Sequence, residues 1–275
     1  MSLRSPEDAR LYFDQDAEEP DAREIAGGLA AVFSARCPGK ETPNEDAAAL
    51  IPIDEWSAVL AVADGLGGAP GGEQASRVAL EALWTALSRG PRDAASLRTS
   101  IIDGIEAANE AVAALGLRAA TTLAAVELQR GIARPYHVGD SMVLVAGQRG
   151  RVKLQTVSHS PMGFAVEAGV LDERAAMRHE DRHLVSNVIG ARDMRIEVGS
   201  ALELAAFDTL VLASDGLLDN LATREIVDRV RKGPLARAAL RLAQDSRSRM
   251  ECAREGRPSK PDDVTFVVYR RGRAS

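Results

Sequence analysis

The chain has 275 residues, 45% of them hydrophobic and 27% charged, the composition of a globular protein large enough for one sizeable core. A net charge of −6 and 4% aromatic residues exclude a nucleic-acid partner, which would demand clustered Lys and Arg and platforms for base stacking. Two cysteines far apart, Cys37 and Cys252, exclude a disulfide or zinc-finger framework, and the lack of any apolar run of transmembrane length excludes a membrane partner, so a cytoplasmic protein is expected.

Residues 1–27 are acidic and polar, unlike a signal peptide, and read as a partly ordered extension. A strand is predicted over 28–35, then a polar loop with two prolines over 37–46, then a second apolar strand over 47–53. The run 58–63 has strand length and leads straight into Asp64. Five glycines and a proline follow within 65–72, a density that signals unusual backbone angles or close approach. Apolar residues at helical spacing predict helices over 72–87 and 94–115. Short apolar runs at 121–128, 133–138, 142–146 and 152–157, separated by tight turns, require antiparallel hairpins. Residues 158–195 are the least regular, with short helices over 162–168 and 171–177. A strand over 207–213 is followed by helices over 223–231, capped by Thr223, and 235–249. A final strand covers 264–269.

Acidic residues recur at the strand ends. A carboxylate at the end of a buried strand, facing glycines, is costly unless a cation neutralises it; the plainer alternative is an Asp that caps the next turn. If 47–53 and 58–63 pair as antiparallel neighbours, Glu45 and Asp64 come within reach of one ion. Asp140, Asp215 and either Asp262 or Asp263 occupy similar places. An all-oxygen set without Cys or His suits Mg²⁺ or Mn²⁺. Two such ions roughly 3.5–4 Å apart would activate a water and clamp a phosphoryl group. The chemistry expected is metal-assisted hydrolysis of a phosphoester. A competing signal is His179-Glu180-Asp181-Arg182-His183, which matches the H-E-x-x-H pattern of zinc peptidases, with Glu203 as a downstream carboxylate. Its polar interior and the absence of a supporting helix weigh against that reading.

The ordered series of motifs resembles a known family, the metal-dependent serine/threonine protein phosphatases of type 2C in their bacterial form. The motifs are Asn44-Glu45-Asp46, Asp64-Gly65-Leu66-Gly67-Gly68 with Gly72-Glu73-Gln74-Ala75-Ser76, Thr121-Thr122-Leu123, His137-Val138-Gly139-Asp140-Ser141, Ser214-Asp215-Gly216-Leu217 and Asp262-Asp263-Val264-Thr265. The resemblance implies an α+β fold, a four-layer α-β-β-α sandwich of two antiparallel sheets flanked by helices. It implies one phosphatase domain over 28–271, with 158–195 as a flap beside the active site. It implies that Asp64 bridges two metal ions, Mn²⁺ or Mg²⁺. Glu45 and the Gly65 carbonyl would hold one, and Asp215 and Asp262 the other. Asp140 and Asp219 match positions for a weaker third ion. Water would attack phosphorus in line, without a covalent enzyme intermediate, so Asp64 and Asp215 carry the catalysis. The implied partners are phosphorylated proteins and a cognate Ser/Thr kinase, and the implied state is a monomer.

Some positions depart from the family pattern. Its phosphate-binding Arg falls at Glu41, with Lys40 one residue further from Glu45, and a Lys cannot reproduce a bidentate Arg grip. Met142 replaces an Arg, Ala120 a Gly, and Asp263 an Asn. Because neighbouring strand residues face opposite ways, only one of Asp262 and Asp263 is expected to face the metal, and Asp262 is chosen. The altered Lys40 region leaves a catalytically silent binding module as the alternative.

Overall fold

The computed structural model describes residues 5–66, 71–90, 94–116, 119–254 and 256–272. Part of the glycine-rich loop, residues 67–70, lies outside them. In chain order the strands are β1 (Arg10–Phe13), β2 (Asp21–Ile25), β3 (Gly28–Ala35), β4 (Asp46–Pro52), β5 (Ser57–Leu66), β6 (Ala120–Thr121), β7 (Leu123–Gln129), β8 (Ile132–Val138), β9 (Met142–Ala146), β10 (Val152–Gln155), β11 (Glu197–Val198), β12 (Leu202–Glu203), β13 (Thr209–Ala213) and β14 (Val264–Arg271). The helices are α1 (Gly71–Arg89), α2 (Ala94–Ala114), α3 (Pro161–Glu167), α4 (Glu173–Ala176), α5 (Asp215–Leu218), α6 (Thr223–Val230) and α7 (Leu235–Glu251).

Two antiparallel sheets result. One runs β1-β4-β5-β7-β8-β11, with β6 on β5 and β12 on β8; the other runs β10-β9-β13-β14-β3-β2. The two-residue period of a strand explains why they stack. On β5, Val59, Ala61 and Ala63 join Leu80, Leu83, Ile101 and Ile105 of α1 and α2 in one core. The intervening Ala58, Leu60 and Val62 join Val143, Leu212 and Val267 of the other sheet in a second. On β14, Phe266 and Val268 turn outward to Ile226, Val227, Ala239 and Leu242 of α6 and α7 in a third. Strands apolar on both faces thus build four layers, helix-sheet-sheet-helix, as expected from the resemblance. None of the described helices is long and apolar enough to cross a membrane.

Two local expectations change, and one short helix is added. The segment before Gly28, read as an extension, supplies an edge strand to each sheet: β1 pairs with β4 and β2 with β3. Four or five residues of mixed polarity carry little periodicity by themselves, and pairing with a buried neighbour supplies what they lack. The cap of α6 is Ala222, whose N–H donates to Glu225 Oε2 at 3.2 Å. Thr223 instead gives its N–H and hydroxyl to Glu173 Oε1, at 2.7 and 2.6 Å. Finally, the turn after β13 is a short helix, α5, beginning at Asp215 itself.

Candidate metal centre

Register brings the acidic strand ends together. In the β4–β5 pair Asp46 lies opposite Asp64. Gly65 N–H donates to the Glu45 carbonyl at 3.1 Å, and Thr122 N–H to the Asp64 carbonyl at 2.8 Å. The second sheet joins through Ser214, at the end of β13, whose hydroxyl donates to Asp46 Oδ2 at 2.7 Å. Asp215 follows it, and Asp262 and Asp263 directly precede β14. A Cβ on Gly216 would stand 1.8 Å from the Asp263 carbonyl oxygen, so the missing side chain lets α5 approach the start of β14.

Asp262 and Asp263 face apart. Asp263 is buried and turns toward Glu45: its Oδ1 accepts from Cys37 N at 2.8 Å, and its Oδ2 from Glu45 N at 2.7 Å. Lys40 Nζ bridges the same pair, 3.0 Å from Glu45 Oε2 and 2.5 Å from Asp263 Oδ2. Asp262 turns the other way, toward Asp215. There Lys260 Nζ lies 2.6 Å from Asp215, 2.9 Å from Asp219 and 3.1 Å from Asp262. Burial opposes the Lys260 charge, but Asp215, Asp219 and Asp262 outweigh it and raise its pKa well above the ordinary lysine value.

The remaining carboxylates are electrostatically strained. Desolvation, then Asp46, Asp215, Asp140 and Asp262, pushes the Asp64 carboxyl well above the usual range. Asp46 is also pushed up, first by burial, against the hydrogen bond from Ser214. Asp140 is raised to about 7 by burial and then by Asp215. Asp262 is raised by the same two causes. Such crowding calls for positive charge. Glu45 Oε1 is buried with no hydrogen-bond partner among the described residues. A Cβ on Gly72 would stand 2.4 Å from that oxygen and 2.8 Å from the Gly65 carbonyl oxygen. Two acceptors thus converge on a niche kept open by the absence of a side chain. Hard oxygen donors of this kind fit a divalent cation.

Beside the carboxylates lies a cavity of about 340 Å³, lined by Asp140, Asp215 and Asp219 together with Met162, Val166 and Met177 of the segment 158–195. His159 clasps that segment to the site. Its Nδ1 accepts from Gly139 N at 3.1 Å, so its Nε2 carries the proton and donates to Glu197 Oε2 at 3.1 Å. Among the described residues, His137, His159 and Glu197 place ligand-type atoms within 4.8 Å of one another. However, both nitrogens of His159 are engaged, and its ring stacks on His137 at 4.3 Å, so the trio is a structural clasp.

The zinc-peptidase reading does not survive. His179 precedes a 3-10 turn, Glu180–His183, instead of sharing an α-helical face with His183. Its Nδ1 accepts from Asp181 N, His183 Nδ1 bonds the Glu180 carbonyl, and Glu203 sits on β12 opposite Ile132.

The acidic residues of the ordered motifs therefore stand at this one edge, Glu45 and Asp64 on the first sheet's side, Asp215, Asp219 and Asp262 on the second's, and Asp140 between β8 and β9. Asp46 was passed over as a site residue, although its register with Asp64 follows from the hairpin. Lys260 had no sequence signal, because only tertiary folding sets it among three aspartates. Its backbone is clamped by the buried Asn220, which accepts from Lys260 N at 2.9 Å and donates to the Lys260 carbonyl at 2.8 Å.

The comparisons with known proteins agree with this geometry. The family profile described as Protein phosphatase 2C matches residues 35–252. The protein phosphatase PhpP of Streptococcus pneumoniae is 29% identical over 197 residues, covering 69% of this chain and 79% of that protein. Among solved structures, the PPM Ser-Thr phosphatase MsPP from Mycobacterium smegmatis, in complex with cacodylate, superposes with a TM-score of 0.72 at 27% identity, covering 88% of this chain and 98% of that one. The catalytic domain of the serine/threonine protein phosphatase PstP, in complex with two manganese ions, superposes with a TM-score of 0.66 at 25% identity, covering 88% and 96%. The sandwich of two sheets, the convergent carboxylates and a profile match across most of the sequence lead to one conclusion: this chain belongs to the protein phosphatase 2C family, the metal-dependent serine/threonine phosphoprotein phosphatases.

Proposed function

We propose that the chain hydrolyses phosphoserine and phosphothreonine in proteins with two divalent cations, Mn²⁺ or Mg²⁺, held at this sheet edge. Glu45, Asp64 and the Gly65 carbonyl would hold one ion; Asp64, Asp215 and Asp262 would hold the other; Asp140 and Asp219 would offer a weaker third position. The observation that carries this reading is the Gly72 niche, where the unpartnered Glu45 Oε1 and the Gly65 carbonyl converge beside strained carboxylates. When bound, such ions supply a water of lowered pKa and positive charge for the transferring phosphoryl group. The chain's own groups hold the arrangement. Thr121 and Thr122 fix the Asp64 backbone through their hydroxyls, at 2.8 and 3.1 Å. Ser214 orients Asp46. Lys40 spends two of its three donors on Glu45 and Asp263, which leaves one for substrate phosphate. The acting unit is a monomer. The substrates are proteins phosphorylated by a Ser/Thr kinase of the same cell. The domain spans 28–271 with its N-terminal edge strands added, and 158–195 acts as the flap.

The test is phosphate release from phosphoserine and phosphothreonine peptides with Mn²⁺, with Mg²⁺ and with chelator. Turnover is expected only with a divalent ion; equal rates in chelator would sink the reading, and no turnover with any ion would favour a silent binding module. Gly72→Ala places a methyl group into the niche. Overpacking of this kind costs about 1–3 kcal/mol, so the Mn²⁺ concentration for half-maximal activity should rise about tenfold or more. A metal titration of the activity reads this directly. His179→Ala, by contrast, alters a surface turn. It should leave kcat/KM within about twofold, as surface substitutions usually do.

A further inference from the structure

The carboxylates of the centre are not equally served by positive charge. Lys260 Nζ stands 2.6 Å from Asp215 Oδ2, 2.9 Å from Asp219 Oδ2 and 3.1 Å from Asp262 Oδ2, among the carboxylates proposed above for the second and third ions. It is not a surface lysine that happens to fold inward. Its backbone N–H and carbonyl are both held by Asn220, which is fully buried and also donates to the Gly216 carbonyl of α5. The segment that carries the lysine is therefore fixed to the short helix that begins at Asp215 and is capped by Asp219. In the other half the arrangement differs. Lys40 touches Glu45 through Oε2 only, and Glu45 Oε1 remains open toward the Gly65 carbonyl.

A divalent ion of the Mg²⁺ class binds carboxylate oxygens at about 2.0–2.1 Å in near-octahedral geometry. An ammonium surrounded by the oxygens of Asp215, Asp219 and Asp262 fills the space such an ion needs and supplies part of its charge. The two cannot be present together. The long, flexible lysine stem allows the head group to leave without moving the clamped backbone.

We propose that Lys260 is an internal cation of this centre. It neutralises the Asp215–Asp219–Asp262 half when no divalent ion is bound, and it competes with the ion that replaces it. The inference rests on the metal-centre reading above and deepens it: occupancy of this half is set at a higher divalent concentration than occupancy of the Glu45–Gly65 half. Removing the charge should tighten binding in one half only. It should also leave the metal-free protein with unneutralised aspartates.

The test uses the full chain and two variants, Lys260→Met and Lys260→Gln, the second keeping a polar group of similar length without the charge. Mn²⁺ binding is followed by titration calorimetry, and thermal unfolding is measured in chelator and in saturating Mn²⁺. The expected result is two classes of Mn²⁺ site in the parent protein. The weaker class tightens about tenfold in both variants while the stronger is unchanged, within the usual range of coupling between sites. The melting temperature falls in chelator and is restored by Mn²⁺. A lysine with a purely structural role would lower it equally in both conditions, and that outcome overturns the proposal. Unchanged Mn²⁺ affinity in both variants also overturns it, while metal-dependent phosphopeptide hydrolysis by the same preparations leaves the phosphatase reading standing. Absence of both Mn²⁺ binding and turnover in the parent protein overturns the two together.

Discussion

Replacing Asp64 by Asn is expected to lower kcat/KM toward a phosphoserine peptide by about 10³-fold while making the metal-free protein more stable. The first half of this result follows from position. Asp64 lies between the two groups of carboxylates proposed as ligands, next to Glu45 through the Gly65–Glu45 backbone bond and electrostatically coupled to Asp215 and Asp262. Asn keeps the shape and the backbone bonds to Thr121 and Thr122 but removes the charge that would serve two ions at once. Loss of one preorganised electrostatic group at a reacting centre commonly costs about 10²–10³-fold, and a group shared by two cations should fall at the upper end. The second half follows from desolvation. The Asp64 carboxyl is pushed well above its usual range, so its ionised form opposes folding when no cation is bound. A neutral amide lifts that opposition, a trade of stability for activity expected at strained functional sites. Steady-state kinetics over a Mn²⁺ series and unfolding in chelator check the two halves separately. Retained activity would remove Asp64 from the centre of the mechanism.

In chelator, the protein should lose stability as pH rises from about 4 to 8, and excess Mn²⁺ should abolish that slope. The sign comes from four groups whose folded pKa is raised: Asp46, Asp64, Asp140 and Asp262. A carboxyl raised in the folded state binds its proton more tightly there than in the unfolded chain. Its contribution is fully present below the ordinary carboxylate value, near 4, and is lost as pH climbs through the folded value. For Asp140 that value is about 7, which places the loss inside the physiological range. Lys260 has the same sign but lies outside this window. Its folded value is raised, so its contribution persists below the ordinary lysine range and adds no slope between pH 4 and 8. A divalent cation replaces the protons and stabilises the folded state by mass action. Melting temperatures at pH 5 and pH 8, each with chelator and with Mn²⁺, give the comparison. Stability that rises between pH 5 and 8 in chelator would show that the aspartates do not repel one another as described.

Much of this centre could be read before any coordinates. Strand ends carrying Asp64, Asp140 and Asp215, each beside glycine, are local patterns, and antiparallel pairing of neighbouring runs places Glu45 beside Asp64 without knowledge of the rest of the fold. The ordered motifs added the ligand roles. The H-E-x-x-H match shows the limit of such reading, since its meaning depends on whether the five residues form an α-helix. His179 caps a 3-10 turn instead.

The sequence by itself determined the apolar strands, the main helices and the chemistry of the acidic strand ends, because alternation, helical spacing and residue type are properties of short stretches. Tertiary structure alone decided that β1 and β2 complete the sheets, that Asp262 turns toward Asp215 while Asp263 turns toward Glu45, and that Lys260 stands among three aspartates. Those facts depend on which distant segments pack together, and burial and charge neutralisation act across space without regard to distance along the chain.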